Sequence, residues 1–178
     1  MKKTLIALSL AAAALVSARD IKDNLDSAKI GAEMIPGWTI NRSNKAADYG
    51  KSVIVVGSEA DEKALQLTAP ADRSNSIYMF GATAVNAGEF LEFSAKVKGK
   101  GTVTLSYYPY GEKGGFVGGV PVPYKAVVLG NNWVEIKCKL QVKNSNNGTL
   151  VKFIRPCISL SKGGELLIED IDLEIDND

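Results

Sequence analysis

Two runs of alternating apolar and polar residues, separated only by Gly99-Lys100-Gly101, occupy residues 89–110 (EFLEFSAKVKGKGTVTLSYYPY). Leu91, Phe93, Ala95 and Val97 alternate with Phe90, Glu92, Ser94, Lys96 and Lys98. After the glycines, Val103, Leu105 and Tyr107 alternate with Thr102, Thr104, Ser106 and Tyr108. A period of two places every second side chain against a core and the rest in solvent, which is the pattern of a strand. Two such runs joined by a Gly-containing turn read as an antiparallel hairpin. Its outer face carries Thr, Ser and Lys and ends in Tyr108 and Tyr110.

The rest of the chain extends the pattern. Residues 52–56 are a β-branched run, residues 64–68 alternate around Leu65 and Leu67, and residues 77–80 resume an extended pattern. Residues 126–129, 133–142, 150–160 and 165–175 add further strands, joined by turns rich in Asn, Ser and Gly. Residues 41–50 are polar and read as a loop. No repeat, heptad or amphipathic helix stands out. About nine short strands with turns at regular intervals specify an all-β fold, a two-sheet antiparallel β-sandwich.

The N-terminus is set apart from this fold. Met1-Lys2-Lys3 is a basic start, residues 5–16 are apolar and rich in Leu and Ala, and Val16-Ser17-Ala18 has the small residues of a cleavage site. Residues 1–18 are therefore expected to be a signal peptide, with residues 19–178 a single β-sandwich domain, exported and periplasmic or extracellular. No other apolar run is long enough to span a bilayer. Taking Lys2 and Lys3 from the 21 basic residues leaves 19 against 20 acidic ones, a balance that calls for neither nucleic acid nor an anionic membrane. The acidic C-terminal run reads as a last strand with carboxylates on its solvent face. Export permits a disulfide between the two cysteines, Cys138 and Cys157, if the strands bearing them pair as a hairpin around residues 144–148. The alternative is two free thiols, Cys138 buried on the apolar side of its strand.

The chemistry available is limited. With no histidine, Ser-His-Asp and Cys-His mechanisms and His-ligated zinc are excluded. No Asp or Glu pair sits in a distinctive motif for acid–base work, so the chain is expected not to be an enzyme and to require no cofactor. Five of residues 111–119 are glycine, without the order or following helix of a phosphate cradle. That segment is either a mobile connection or a lid beside a binding face, with Phe116 or Tyr124 as contacts. Aromatic surfaces are what a sugar binder needs, because the C–H face of a pyranose stacks on a ring while its hydroxyls take directed hydrogen bonds. Tyr108 and Tyr110 project from the outer face, where the alternative for Tyr108 is a cross-strand aromatic covering the sheet. Thr104, Ser106, Lys96 and Glu92 are their expected polar neighbours. Trp38, after the turn at Pro36-Gly37, is a candidate loop platform, whereas Trp133 at a strand start is assigned to the core.

The order of landmarks resembles a known family. Pro36-Gly37-Trp38 lies near the mature N-terminus, and residues 88–99 (GEFLEFSAKVKG) occupy the middle. Asn132-Trp133-Val134 opens a strand, and residues 164–173 (GELLIEDIDL) close the chain. This is similar to the galactose-binding-like jelly-roll carbohydrate-binding modules attached to bacterial xylanases and glucanases. The resemblance covers nearly the whole mature chain and rests on strand and turn signatures. It implies a jelly-roll topology, a poly- or oligosaccharide ligand, and in many members a structural Ca²⁺ between the first and last strands. Here Asn24-Leu25-Asp26 is followed by Ser27-Ala28 in place of the family's aromatic–Glu pair, which leaves Asp170 as the calcium candidate.

Two functions follow as expectations. One is a secreted, non-catalytic carbohydrate-binding protein using Tyr108, Tyr110, Trp38, Phe116 and Tyr124. The other is a structural or protein-interaction component of the cell envelope or extracellular matrix, with another envelope protein as partner. A sugar-binding module normally travels with a catalytic domain, and none is legible here.

Overall fold

The computed structural model describes residues 18–42 and 49–177. The expected signal peptide, apart from Ala18, and most of the polar loop at 41–50 lie outside the described residues. The strands are β1 (Arg19–Asp20), β2 (Trp38–Ile40), β3 (Ser52–Val56), β4 (Lys63–Thr68), β5 (Asn75–Met79) and β6 (Thr83–Ala84). They continue as β7 (Phe90–Lys100), β8 (Thr102–Tyr110), β9 (Lys125–Val128), β10 (Val134–Gln141), β11 (Phe153–Leu160) and β12 (Glu165–Asp176). No helix among the described residues is long and apolar enough to cross a membrane.

The strands form two antiparallel six-stranded sheets. The first runs β10-β7-β12-β4-β3, with β1 against β12; the second runs β2-β5-β11-β8-β9, with β6 against β11. Alternation supplies the core between them. Leu91, Phe93 and Val97 from the first sheet and Val103, Leu105 and Tyr107 from the second are all at most 1% exposed. At about 25 cal/mol per Å² of apolar surface removed from water, burial of this kind is the main favourable term in the fold.

β7 and β8 are not a hairpin. Each alternates as the sequence indicates, but β7 pairs with β10 and β12 in the first sheet and β8 with β9 and β11 in the second. The chain turns a corner between sheets at Gly99 and Gly101, whose φ angles are +147° and +98°. A Cβ at Gly99 would collide with the Glu165 carbonyl, so only glycine fits where β7 passes β12. Period two reports that one face is buried and is silent on which strand lies alongside. In consequence Lys96 and Glu92 do not accompany Tyr108. They lie on the outer face of the first sheet, where Lys96 pairs with Asp170 at 2.7 Å, and Lys139 contacts Glu92 at 3.1 Å and Asp176 at 2.8 Å.

The expected hairpin around residues 144–148 is likewise a crossing between sheets. β10 is the edge of the first sheet and β11 the centre of the second. Cys138 and Cys157 consequently sit in different layers and are free thiols, Cys157 buried and Cys138 half-buried. Pro156 causes no shift in register, because β11 pairs with β8 without interruption from Phe153 to Leu160. On its other side β11 meets β6 at Phe153 and Ile154 and β5 from Cys157 onward. Pro156 falls in the gap between those two ladders, where no ladder partner needs its missing N–H.

Candidate ligand-binding face

The outward positions of the second sheet follow from its register. Opposite each other lie Tyr110 and Phe153, Tyr108 and Arg155, Ser106 and Cys157, and Thr104 and Ser159. On the far side of β11, Tyr78 stands opposite Cys157 and Ser76 opposite Ser159. Asn41, just beyond β2, joins them through its N–H to the Ser76 carbonyl. Tyr78, Tyr108, Tyr110, Asn41 and Phe116 line a cleft of about 350 Å³. That is at the small end of the roughly 300–1,000 Å³ usual for small-molecule sites.

The rings are held by specific contacts. Tyr78 and Tyr108 meet edge to face with centroids 5.5 Å apart and planes at 76°. Tyr110 and Phe116 meet the same way at 6.1 Å and 84°. The Tyr108 hydroxyl accepts a hydrogen bond from Asn41 Nδ2 at 2.8 Å. Burial pushes the Tyr108 phenol well above the ordinary tyrosine range, an effect reinforced by the adjacent Cys157 thiol. Cys157, 1% exposed, lies beneath this face next to Tyr108, and burial raises its thiol too. Ser76 and Ser159 satisfy each other at 2.8 Å.

Phe116 reaches the cleft because the Gly-rich segment folds back on β8. Gly114 N–H bonds the Gly111 carbonyl, Gly111 N–H the Gly115 carbonyl and Val117 N–H the Pro109 carbonyl, while Phe116 bridges to Tyr110. The segment is thus a hydrogen-bonded extension of β8 that leaves Phe116 63% exposed.

Arg155 does not itself line the cleft but stacks against two of the rings that do. Its guanidinium carbon lies 4.5 Å from the Tyr110 ring centroid, 5.5 Å from that of Phe80 and 5.8 Å from that of Tyr78. These are cation–π distances. Its Nε is buried without a hydrogen-bond partner.

Of the aromatics named from sequence, Tyr108, Tyr110 and Phe116 converge on this cleft. Trp38 does not join it. It is buried at 6% exposure, with Nε1 donating to the Asp23 carbonyl at 3.0 Å, because its position in β2 faces the core. Tyr124 is 68% exposed ahead of β9 and does not line the cleft. Trp133 is half-buried just before β10. Tyr78, Asn41 and Arg155 went unnamed from sequence. Tyr78 and Arg155 were detectable only as polar-faced positions alternating with Ile77 and Met79, or with Ile154 and Pro156.

The calcium expectation finds an ill-fitting donor set. Ca²⁺ takes six to eight oxygens. Asp170 sits in a bulge of β12, at φ +49°, and its carboxylate is paired with the Lys96 ammonium. The neighbouring Glu169 is buried and accepts hydrogen bonds from the Ser58 backbone N–H and hydroxyl. Among the described residues no three acidic, His or Cys side chains gather to hold a metal.

No protein-family model matches the chain, and no curated protein is similar to it in sequence. Solved structures are similar in fold. A CBM22-1 xylan-binding domain from Paenibacillus barcinonensis Xyn10C superposes with a TM-score of 0.55 at 14% identity, over 85% of this chain and 99% of that one. A cyclase from Fischerella sp. gives 0.63 at 7% identity, over 90% and 98% of the two chains. An arabinose-bound MgGH51 α-L-arabinofuranosidase gives 0.62 at 10% identity over 89% of this chain, which spans about a quarter (26%) of the arabinofuranosidase. At these identities the likeness is one of fold, and the fold is the jelly-roll β-sandwich of carbohydrate-binding modules.

Proposed function

We propose that the protein is an exported, non-catalytic carbohydrate-binding protein that holds a poly- or oligosaccharide against the outer face of its second sheet. The observation that carries this is the convergence of Tyr78, Tyr108, Tyr110 and Phe116 with Asn41 on one cleft. The rings offer platforms for the C–H face of a sugar, and Asn41 offers a fixed amide beside them. The first sheet's outer face is different in kind, carrying the ion pairs Lys96–Asp170, Lys139–Glu92 and Lys139–Asp176, as a solvated surface does. Among the described residues no carboxylate lines the cleft, and these residues offer no acid–base pair of the kind that glycoside hydrolysis uses. The fold shared with a xylan-binding domain agrees with this function.

Isothermal titration against soluble xylan, mixed-linkage glucan and polygalacturonate tests it. Saturable binding to at least one of them, abolished in Tyr108→Ala and Tyr110→Ala, is expected. Absence of binding across the panel would overturn it. A second function, as an interaction component of the envelope, rests on β9, an edge strand where Val128 is 80% exposed beside the exposed Tyr124. Concentration-dependent association in light scattering, lost in Val128→Lys, would favour that function, and a strict monomer would count against it.

A further inference from the structure

Arg155 carries a charge that no carboxylate among the described residues neutralises. Through the register, the outward positions of β5, β8, β9 and β11 are Ser, Thr, Tyr, Phe, Cys, Ala and Val apart from this one residue. Arg155 is the only charged group among them. Its guanidinium makes ring contacts to Tyr78, Phe80 and Tyr110, and no carboxylate or carbonyl pairs with it among the described residues. Two of those rings are walls of the cleft.

The contrast is with the cations that the fold does pair. Arg19 is paired with Glu89, Arg73 with Asp72, Lys96 with Asp170, and Lys139 with Glu92 and Asp176. A guanidinium stacked on aromatic rings keeps its edge donors free, and that planar fork matches a carboxylate or a sulfate. In partly desolvated surroundings its attraction for an anion is weakly screened.

We propose that the cleft selects saccharides bearing an acidic group, and that Arg155 pairs with that group while Tyr110 and Phe116 contact the sugar ring. This names the ligand class of the site described above and rests on carbohydrate binding there. The shared chemistry is an oxyanion on a sugar, a carboxylate in a uronate or a sulfate in a sulfated glycan.

The test is affinity electrophoresis and titration of the intact protein with matched pairs: polygalacturonate against its methyl-esterified form, and dextran sulfate against dextran. The charged member of at least one pair is expected to bind about tenfold or more tightly than its neutral partner, the pair identifying the anion. Arg155→Gln is expected to remove that preference, lowering affinity for the charged member of the pair far more than for the neutral one, with Arg155→Lys intermediate because it keeps charge without the fork. Near-UV circular dichroism checks that the variants are folded, and the esterification comparison decides on the natural protein if they are not. Equal binding of charged and neutral members would overturn the acidic-ligand assignment while leaving carbohydrate binding standing. So would equal losses on both in Arg155→Gln, since a residue that only supports the rings would act on both alike. Failure of every glycan, neutral or charged, would overturn the carbohydrate function and this assignment with it.

Discussion

Asn41 and Tyr108, 67 residues apart in sequence, are joined by a hydrogen bond of 2.8 Å from the amide of one to the hydroxyl of the other. The bond ties β8 to the segment after β2, across the two strands that lie between them in the sheet. It fixes the Tyr108 ring against Tyr78 and so shapes the floor of the cleft. Tyr108→Phe keeps the ring and loses the bond, and is expected to cost about 1 kcal/mol of stability and a few-fold in glycan affinity. Tyr108→Ala removes the platform and should abolish measurable binding. Denaturant titration and calorimetry on the two variants separate these effects, and equal affinities in both would show that the ring is not the contact.

Trp38 belongs to the core, so its replacement should be felt in stability. Trp38→Ala is expected to cost about 3–5 kcal/mol, from the cavity and from the Asp23 carbonyl left without its indole donor. Urea denaturation measures this. A loss below about 1 kcal/mol would mean that Trp38 is not packed as described.

The corner at Gly99 can be tested against a control of similar conformation. Gly99→Ala combines an unfavourable φ of +147° with a collision against the Glu165 carbonyl, and should destabilise by about 3 kcal/mol or more. Gly88→Ala, at φ +100° with open space where the Cβ would go, should cost only about 1–2 kcal/mol. Equal losses in the two would remove the close approach of β7 to β12 as the reason for glycine.

Alkaline pH should weaken the fold in a defined order. Burial pushes the Cys138 thiol up to about 11 from an ordinary value near 9, and it also raises Cys157, Tyr107 and Tyr108. Each of these groups loses its proton at lower pH in the unfolded chain than in the folded one. The unfolded state therefore binds fewer protons above pH 9, and stability falls as pH rises from there. Melting temperatures are expected to hold steady up to about pH 9 on this account and then decline, with Cys138→Ala reducing the early part of the decline.

Both cysteines are free and lie in opposite sheets, so reducing agent should leave thermal stability and non-reducing gel mobility unchanged. A thiol reagent should titrate two groups in denaturant, while in the native protein the buried Cys157 reacts far more slowly than Cys138. A mass two units lower, signalling a disulfide, would contradict the sheet assignment.

The sequence by itself determined the strands and their buried faces. Leu91, Phe93, Val97, Val103, Leu105 and Tyr107 are in the core where alternation puts them. It also determined that Tyr108 and Tyr110 face outward, because period two is a local property of one strand and needs no partner to be read. Pairing was not legible, because alternation is the same whether the next strand lies alongside or across the sandwich. For that reason β7 and β8 read as a hairpin, and β10 and β11 as strands close enough to cross-link. Only the tertiary structure decided that each pair is split between sheets, sending Lys96 and Glu92 to one outer face and the aromatics to the other. It also brought Asn41, Tyr78 and Arg155 to Tyr108 and Tyr110 from segments far away in sequence. Each of the three looks ordinary in its own strand, and their meaning comes from the register of β11 against β5 and β8, which long-range packing sets.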